Sequence, residues 1–151
     1  MTWIMRATPA KYDLAARLAV TDCWIIDWSV QPNVKGGRDS IRIGDLVWFA
    51  ILEATGTFGT IIGRGKILSE VVKAISPERD LNPPFCPNRA EFQDAFHRVF
   101  VEITDRLPQW FPLANARQNA ALQNMLIFRQ TQGNMFWVTE EEAVELNRLL
   151  P

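Results

Sequence analysis

The stretch CWIIDWSVQPN, residues 23–33, places two tryptophans four residues apart and follows the second with Ser29, Gln31, Pro32 and Asn33. Read as a strand, it puts Trp24, Ile26, Trp28 and Val30 on one face, with Cys23, Ile25, Asp27 and Ser29 on the other. A strand devoted to packing has no need to close on an indole beside small polar groups. A site for a flat, polar-edged heterocycle does. The Trp28 indole offers a stacking face worth roughly 1–3 kcal/mol per base. Ser29, the backbone through Val30, and Asn33 offer hydrogen bonds to the edge of the ring. A methyl group on such a ring adds about 0.8 kcal/mol of burial.

The rest of the chain offers little reactive chemistry. His97 is the single histidine and lies inside the strand-like run FHRVFVEI, with no nucleophile elbow or local companion for a triad. One histidine and two distant cysteines, Cys23 and Cys86, do not make a metal ligand set. GRG at 63–65 lacks the lysine and spacing of a phosphate loop. Glu140–Glu142 reads as the acidic first turn of a helix. The expectation is a protein without catalytic residues, metal or cofactor.

The elements that must position Trp28 follow from periodicity and punctuation. TWIMRA (2–7) reads as a strand, Asp13 as the cap of a short helix LAARLAV, and 23–30 as a strand that ends at the rim of the core at Asp27. LVWFAIL (46–52) is apolar on both faces, as a central strand is, and GTFGTIIGRGKILSEVV (56–72) completes a pair with it. Gly59, Gly63 and Gly65 fall on one parity and predict close backbone approach or bending. Four prolines mark a long loop over 76–90. FHRVFVEITDRL (96–107) returns to strand, ANARQNAALQNML (114–126) reads as a helix, and GNMFWVT as a short strand. TEEEAVELNRLL is a terminal helix with a Thr139–Glu142 capping box. Trp3 and Trp24 are expected in the core, Trp110 as a plug or surface contact, and Trp137 as a staple on the last helix. The order β-α-β-β-β, loop, β-α-β-α fits an α+β fold, a small, partly closed barrel with packed helices.

At 151 residues one domain over 1–151 is expected, with 48% apolar and 22% charged residues. The net charge of −1 argues against binding held mainly by phosphate contacts, though not against base reading in a pocket. A weak phosphate path is available in Lys35, Arg38, Arg42, Arg64 and Lys66, with Arg129 further along. The opening residues hold no signal-like apolar stretch, no run reaches membrane-spanning length, and Cys23 reads as a buried free thiol. A cytoplasmic location is the expectation.

Five pieces in order resemble one family, the EVE domain, a member of the PUA-like superfamily and a relative of the YTH domain. WIMRATPAKYDL is similar to the family's opening strand and turn, although RATP stands where many members have Lys-Ser-Glu-Pro. WSVQPN resembles its W-x-x-x-x-N segment, matching Trp28 and Asn33. IRIGDLVWF, GTIIGRGKILSE and RQTQGNMFWVTEEEAVEL resemble its later strands and closing helix.

The resemblance implies a PUA-like pseudo-β-barrel of five to six strands with flanking helices. It implies a reader of a modified base, modified cytosine in DNA foremost and a modified RNA base as an alternative, flipped into an aromatic cage. Trp28 matches a cage tryptophan of YTH domains, where a small polar residue likewise follows. Trp48, Phe58 and Phe85 are candidates for the second wall, and Arg6, Gln132, Gly133 and Asn134 for the border of the site. PUA-like amidohydrolases acting on modified nucleosides are an enzyme alternative, for which Lys66, Thr60 and Glu53 would be the catalytic set. The expected partner is DNA or RNA, with any effector in a separate protein and the chain a monomer or weak dimer.

Overall fold

The computed structural model describes residues 1–52, 58–80, 94–130 and 132–150. In chain order the elements are β1 (Thr2–Ala7), α1 (Leu14–Ala19), β2 (Ile25–Ser29), β3 (Leu46–Ile51), β4 (Thr60–Ile67), β5 (Val72–Ala74), β6 (Phe96–Pro112), α2 (Leu126–Arg129), β7 (Met135–Val138) and α3 (Glu140–Leu149). The strands share one curled, mixed sheet in the order β2-β6-β4-β3-β1-β7, with β5 paired to β6 beside that path. β1 and β3 run parallel, and the other pairs are antiparallel. A parallel pair needs a long crossover. Here α1, β2 and the loop after it provide one, and so carry Trp28 across the molecule.

Strand alternation sorts the apolar residues into two cores on opposite faces of the sheet. Trp3, Met5, Phe49, Trp28, Val99 and Val101 pack inside the curl with α1. Ile4, Trp48, Phe136, Leu113 and Leu146 pack on the other face, under α2 and α3. Successive residues of β1 and β3 divide between these clusters, as a period of two requires.

β6 has 17 residues and bends while it serves β2, β5 and β4. Its register with β4 shifts between Ile61/Gly63 and between Arg64/Gly65. The glycines permit this approach, as the sequence predicts: a Cβ on Gly65 would stand 2.5 Å from the Glu102 carbonyl oxygen and 2.7 Å from the Phe49 ring. Pro108 falls in the stretch between Arg106 and Phe111 where β6 makes no ladder pair with β4, so its missing N–H costs nothing there.

Several sequence expectations change. β5 is a seventh strand, separated from β4 rather than continuous with it. The 114–126 segment is a 3-10 turn over Leu113–Gln118 followed by turns, with the α-helix confined to Leu126–Arg129. Asn119 explains part of this. Its Oδ1 accepts from Ala121 N and its Nδ2 donates to Glu145 at 2.6 Å, local bonds that compete with a helix. Trp24 lies outside the core at 57% exposure, because β2 begins only at Ile25. Its ring instead faces the Arg106 guanidinium, 5.4 Å from the centroid. Trp110 is surface-exposed on β6. Trp137 is not the staple: Val138 precedes the Thr139 cap and belongs to the core against which Ala143 packs, while alternation turns Trp137 to the other face. The capping box itself forms, with Thr139 Oγ1 accepting from Glu142 N and Glu142 accepting from Thr139 N. Cys23 is buried and free.

Candidate functional site

β2, the turn before β7, and the segment leading into α1 meet at one end of the curl. Gly133 has φ +128°, a backbone conformation open to glycine, and turns the chain so that Asn134 reaches β2. Asn134 then links three segments. Its carbonyl oxygen accepts from Arg6 N at 2.9 Å and from Trp28 Nε1 at 3.3 Å, the second bond being long. Its Nδ2 donates to the Ser29 carbonyl oxygen at 2.9 Å and to Ser29 Oγ at 3.2 Å. Trp28, Ser29 and Asn134 are thus brought together over more than a hundred residues of chain.

Trp28 is 6% exposed, so its ring is closed over in this arrangement. Tyr12 stands against it edge-to-face, with centroids 6.4 Å apart and planes at 79°. The Tyr12 hydroxyl donates to the Glu78 carboxylate, 2.9 and 2.8 Å from its two oxygens, and Arg17 Nε lies 2.7 Å from Glu78 Oε1. Burial pushes the Glu78 carboxyl up from its ordinary 4.5 to about 7. The Tyr12 bond pulls down, the neighbouring Asp27 charge adds to the rise, and Arg17 opposes it. Burial raises the Tyr12 phenol far beyond its ordinary value, so it remains a donor.

Beneath this lies a buried ion pair that the sequence reading missed. Asp27 is not at a polar rim: it is 6% exposed, and Arg98 Nη1 donates to its Oδ2 at 2.9 Å. Ser76 Oγ donates to Asp27 Oδ1 at 3.0 Å, and Arg98 Nε donates to the Ala74 carbonyl at 3.1 Å. A cleft of about 250 Å³ runs alongside, lined by Arg17, Ile25, Asp27, Pro77, Glu78 and Phe100. Neither Tyr12 nor Glu78 was legible as a site group. A lone tyrosine before a helix and a lone glutamate in a proline-rich loop carry no local spacing signal.

The other sequence-predicted residues separate. Val30 is buried in the Trp28 core, and its carbonyl accepts from Arg38 Nε at 3.0 Å. Asn33 is exposed in the following turn. Gln132 is exposed, its carbonyl accepting from Gln130 Nε2. Three proposed site residues lie on the opposite face. Trp48 belongs to the second core, Phe58 packs against that core edge-to-face with Phe128, and the Arg6 side chain donates to the Phe58 carbonyl and covers the Phe136 ring. Strand parity decides this, since Arg6 and Trp48 share the face of Ile4 and Ala50. Phe85 lies outside the described residues.

Among the basic candidates, Lys35 is exposed and its Nζ is 5.4 Å from the Trp137 ring centroid, on the loop that leaves β2. Arg42 and Lys66 are exposed near Asp45 and Gly44, Arg64 lies 3.7 Å from Asp105, and Arg129 is exposed at the end of α2. The Lys66–Thr60–Glu53 set is not assembled. Thr60 and Lys66 occupy opposite ends of β4, about 20 Å apart at strand rise, and Glu53 lies outside the described residues. Among the described residues no group of three or more His, Cys, Asp or Glu could hold a metal ion.

No curated protein matches the chain in sequence. Solved structures match it end to end. A hypothetical protein from Leishmania major superposes with TM-score 0.70 at 15% identity, covering 98% of this chain and 92% of that one. The DUF55 domain of human thymocyte nuclear protein 1 gives TM-score 0.70 at 16% identity, covering 99% and 98%. The human THYN1 protein, solved in complex with 5-methylcytosine containing DNA, gives TM-score 0.68 at 17% identity, covering 98% and 96%. The curled sheet with its flanking helices is the PUA-like architecture of these neighbours. The family model for the EVE domain matches residues 1–149, and the chain belongs to the EVE domain family.

Proposed function

We propose that this chain binds nucleic acid and reads a modified base, 5-methylcytosine in DNA foremost, without catalysing a reaction on it. The observation that carries this reading is the convergence of Trp28, Ser29 and Asn134 at one end of the curl. The fold it shares with a human protein solved on 5-methylcytosine containing DNA supports it. In this account the base leaves its helix at a cost of a few kcal/mol. It stacks on Trp28, and Ser29 and Asn134 border its edge. Because Trp28 is closed over, Tyr12 must withdraw from its edge-on contact as the base enters. Lys35, on the loop leaving β2, meets the backbone near the flipped nucleotide. Any effector acting on the bound DNA is a separate protein.

The test is binding of matched oligonucleotides that carry cytosine, 5-methylcytosine or another modified base, as DNA and as RNA, with wild type and Trp28→Ala. The wild type prefers one modified base. The variant, checked for fold by circular dichroism, loses that preference. A preference that survives in folded Trp28→Ala moves the site elsewhere, and equal binding of all bases removes the reading.

A further inference from the structure

We infer that Asn134 Oδ1 is the atom that tells an amino group from an oxo group on the bound base, so that the site selects bases with an exocyclic amine. This rests on the reading that the base stacks on Trp28. The orientation of the Asn134 amide is fixed by its bonds. Nδ2 faces the Ser29 carbonyl oxygen, which can only accept, so the amide cannot turn over without setting two oxygens against each other. Oδ1 is therefore held on the other side. It is buried, and no donor reaches it among the described residues.

An acceptor kept from water without a donor is destabilising, and native structures rarely retain one without reason. Here the same residue holds β1, β2 and the Trp28 indole together, so Oδ1 is locked in place. Its position suits one ligand chemistry. The N–H bond of an indole lies in the ring plane, so the Asn134 backbone carbonyl, which accepts it, sits at the perimeter of Trp28, and the Asn134 side chain branches from that same residue. A ring stacked on the indole presents its own edge over that perimeter. A side-chain amide oxygen carried by the residue at that perimeter accepts from the 4-amino group of a cytosine. It meets the 4-oxo group of a thymine oxygen to oxygen.

The probe series is a single-stranded DNA oligonucleotide carrying, at one position, 5-methylcytosine, thymine or 5-methylpyrimidin-2-one. All three have the methyl group, and the last lacks the exocyclic substituent. Wild type binds the 5-methylcytosine oligonucleotide about tenfold or more tightly than the other two. In Asn134→Ala, removal of the amine changes affinity by less than about twofold, which places the coupling on this residue. An equal loss in wild type and variant, or equal binding of 5-methylcytosine and 5-methylpyrimidin-2-one by wild type, overturns the assignment while leaving base stacking intact. The wild-type arm decides even where the variant fails to fold. A fourth oligonucleotide with unmethylated cytosine tests the underlying reading: its binding by wild type as tightly as the 5-methylcytosine oligonucleotide removes that reading as well.

Discussion

Asp27 and Arg98 show how one strand position serves two ends. A carboxylate on a strand otherwise buried is costly unless paired, and Arg98 and Ser76 pair it. Removing one member leaves the other charge buried and uncompensated. Arg98→Met is expected to destabilise the protein by about 3–5 kcal/mol, and Asp27→Leu combined with it by less than the sum of the single changes. Urea unfolding of the four species measures this, and strict additivity would contradict the pairing. This is also where the sequence was hardest to read. Alternation on β2 shows that Asp27 opposes Trp28 in direction, yet its burial depends on Arg98, some seventy residues away. Trp24 misleads for a related reason, since hydrophobicity says nothing about where an edge strand starts to pair. Lys35→Ala is expected to reduce the slope of log affinity against log salt by about one, and Arg129→Ala to leave it unchanged. Titration at several salt concentrations separates them, and equal slopes for wild type and Lys35→Ala would remove the phosphate role.

At the scale of elements, the strands other than β5 were legible, and one helix was not. β1, β3 and β4 carry apolar runs bounded by glycine and polar turns, and the capping box marks α3 at its first residue. The 114–126 segment has helical composition, but its Asn119 bonds locally and across to α3. Gly63 and Gly65 were readable as points of close approach because a side chain there has nowhere to go. Gly65→Ala is expected to cost about 1–3 kcal/mol or more, since its Cβ meets backbone as well as the Phe49 ring. An unchanged melting temperature would contradict that contact. The joint between the Tyr12 turn and the 3-10 turn at Pro77–Asp80 is pH-sensitive. Glu78 titrates near 7 in the folded protein against an ordinary 4.5, so the native state holds a proton that the unfolded state has released between these values. The stability this contributes is full below about pH 4.5 and is lost as pH rises through 7. Glu78→Gln, neutral throughout, should flatten stability across that window. Parallel pH curves for wild type and variant would show that Glu78 is not the group responsible.

For the whole molecule, one curled sheet with a core on each face carries the fold. The inner core holds α1 and Trp28, and the outer holds α2 and α3. The fold is shared with structural neighbours at 15–17% identity. The family motifs were readable end to end. The second wall of the site was not. Trp48 and Phe58 stood only as candidates for it; strand parity sends Trp48 to the outer face, and Phe58, just before β4, packs there against Phe128. What stands beside Trp28 is Tyr12, held by Glu78, and Asn134, held by Ser29.

The most direct test of base stacking is the indole N–H resonance of Trp28, assigned by its loss in Trp28→Phe and followed while a 5-methylcytosine oligonucleotide is added. Ring current from a stacked base should shift that resonance progressively to saturation, with the unmethylated oligonucleotide producing less. A Trp28 resonance that stays fixed while the protein saturates with DNA would contradict the account.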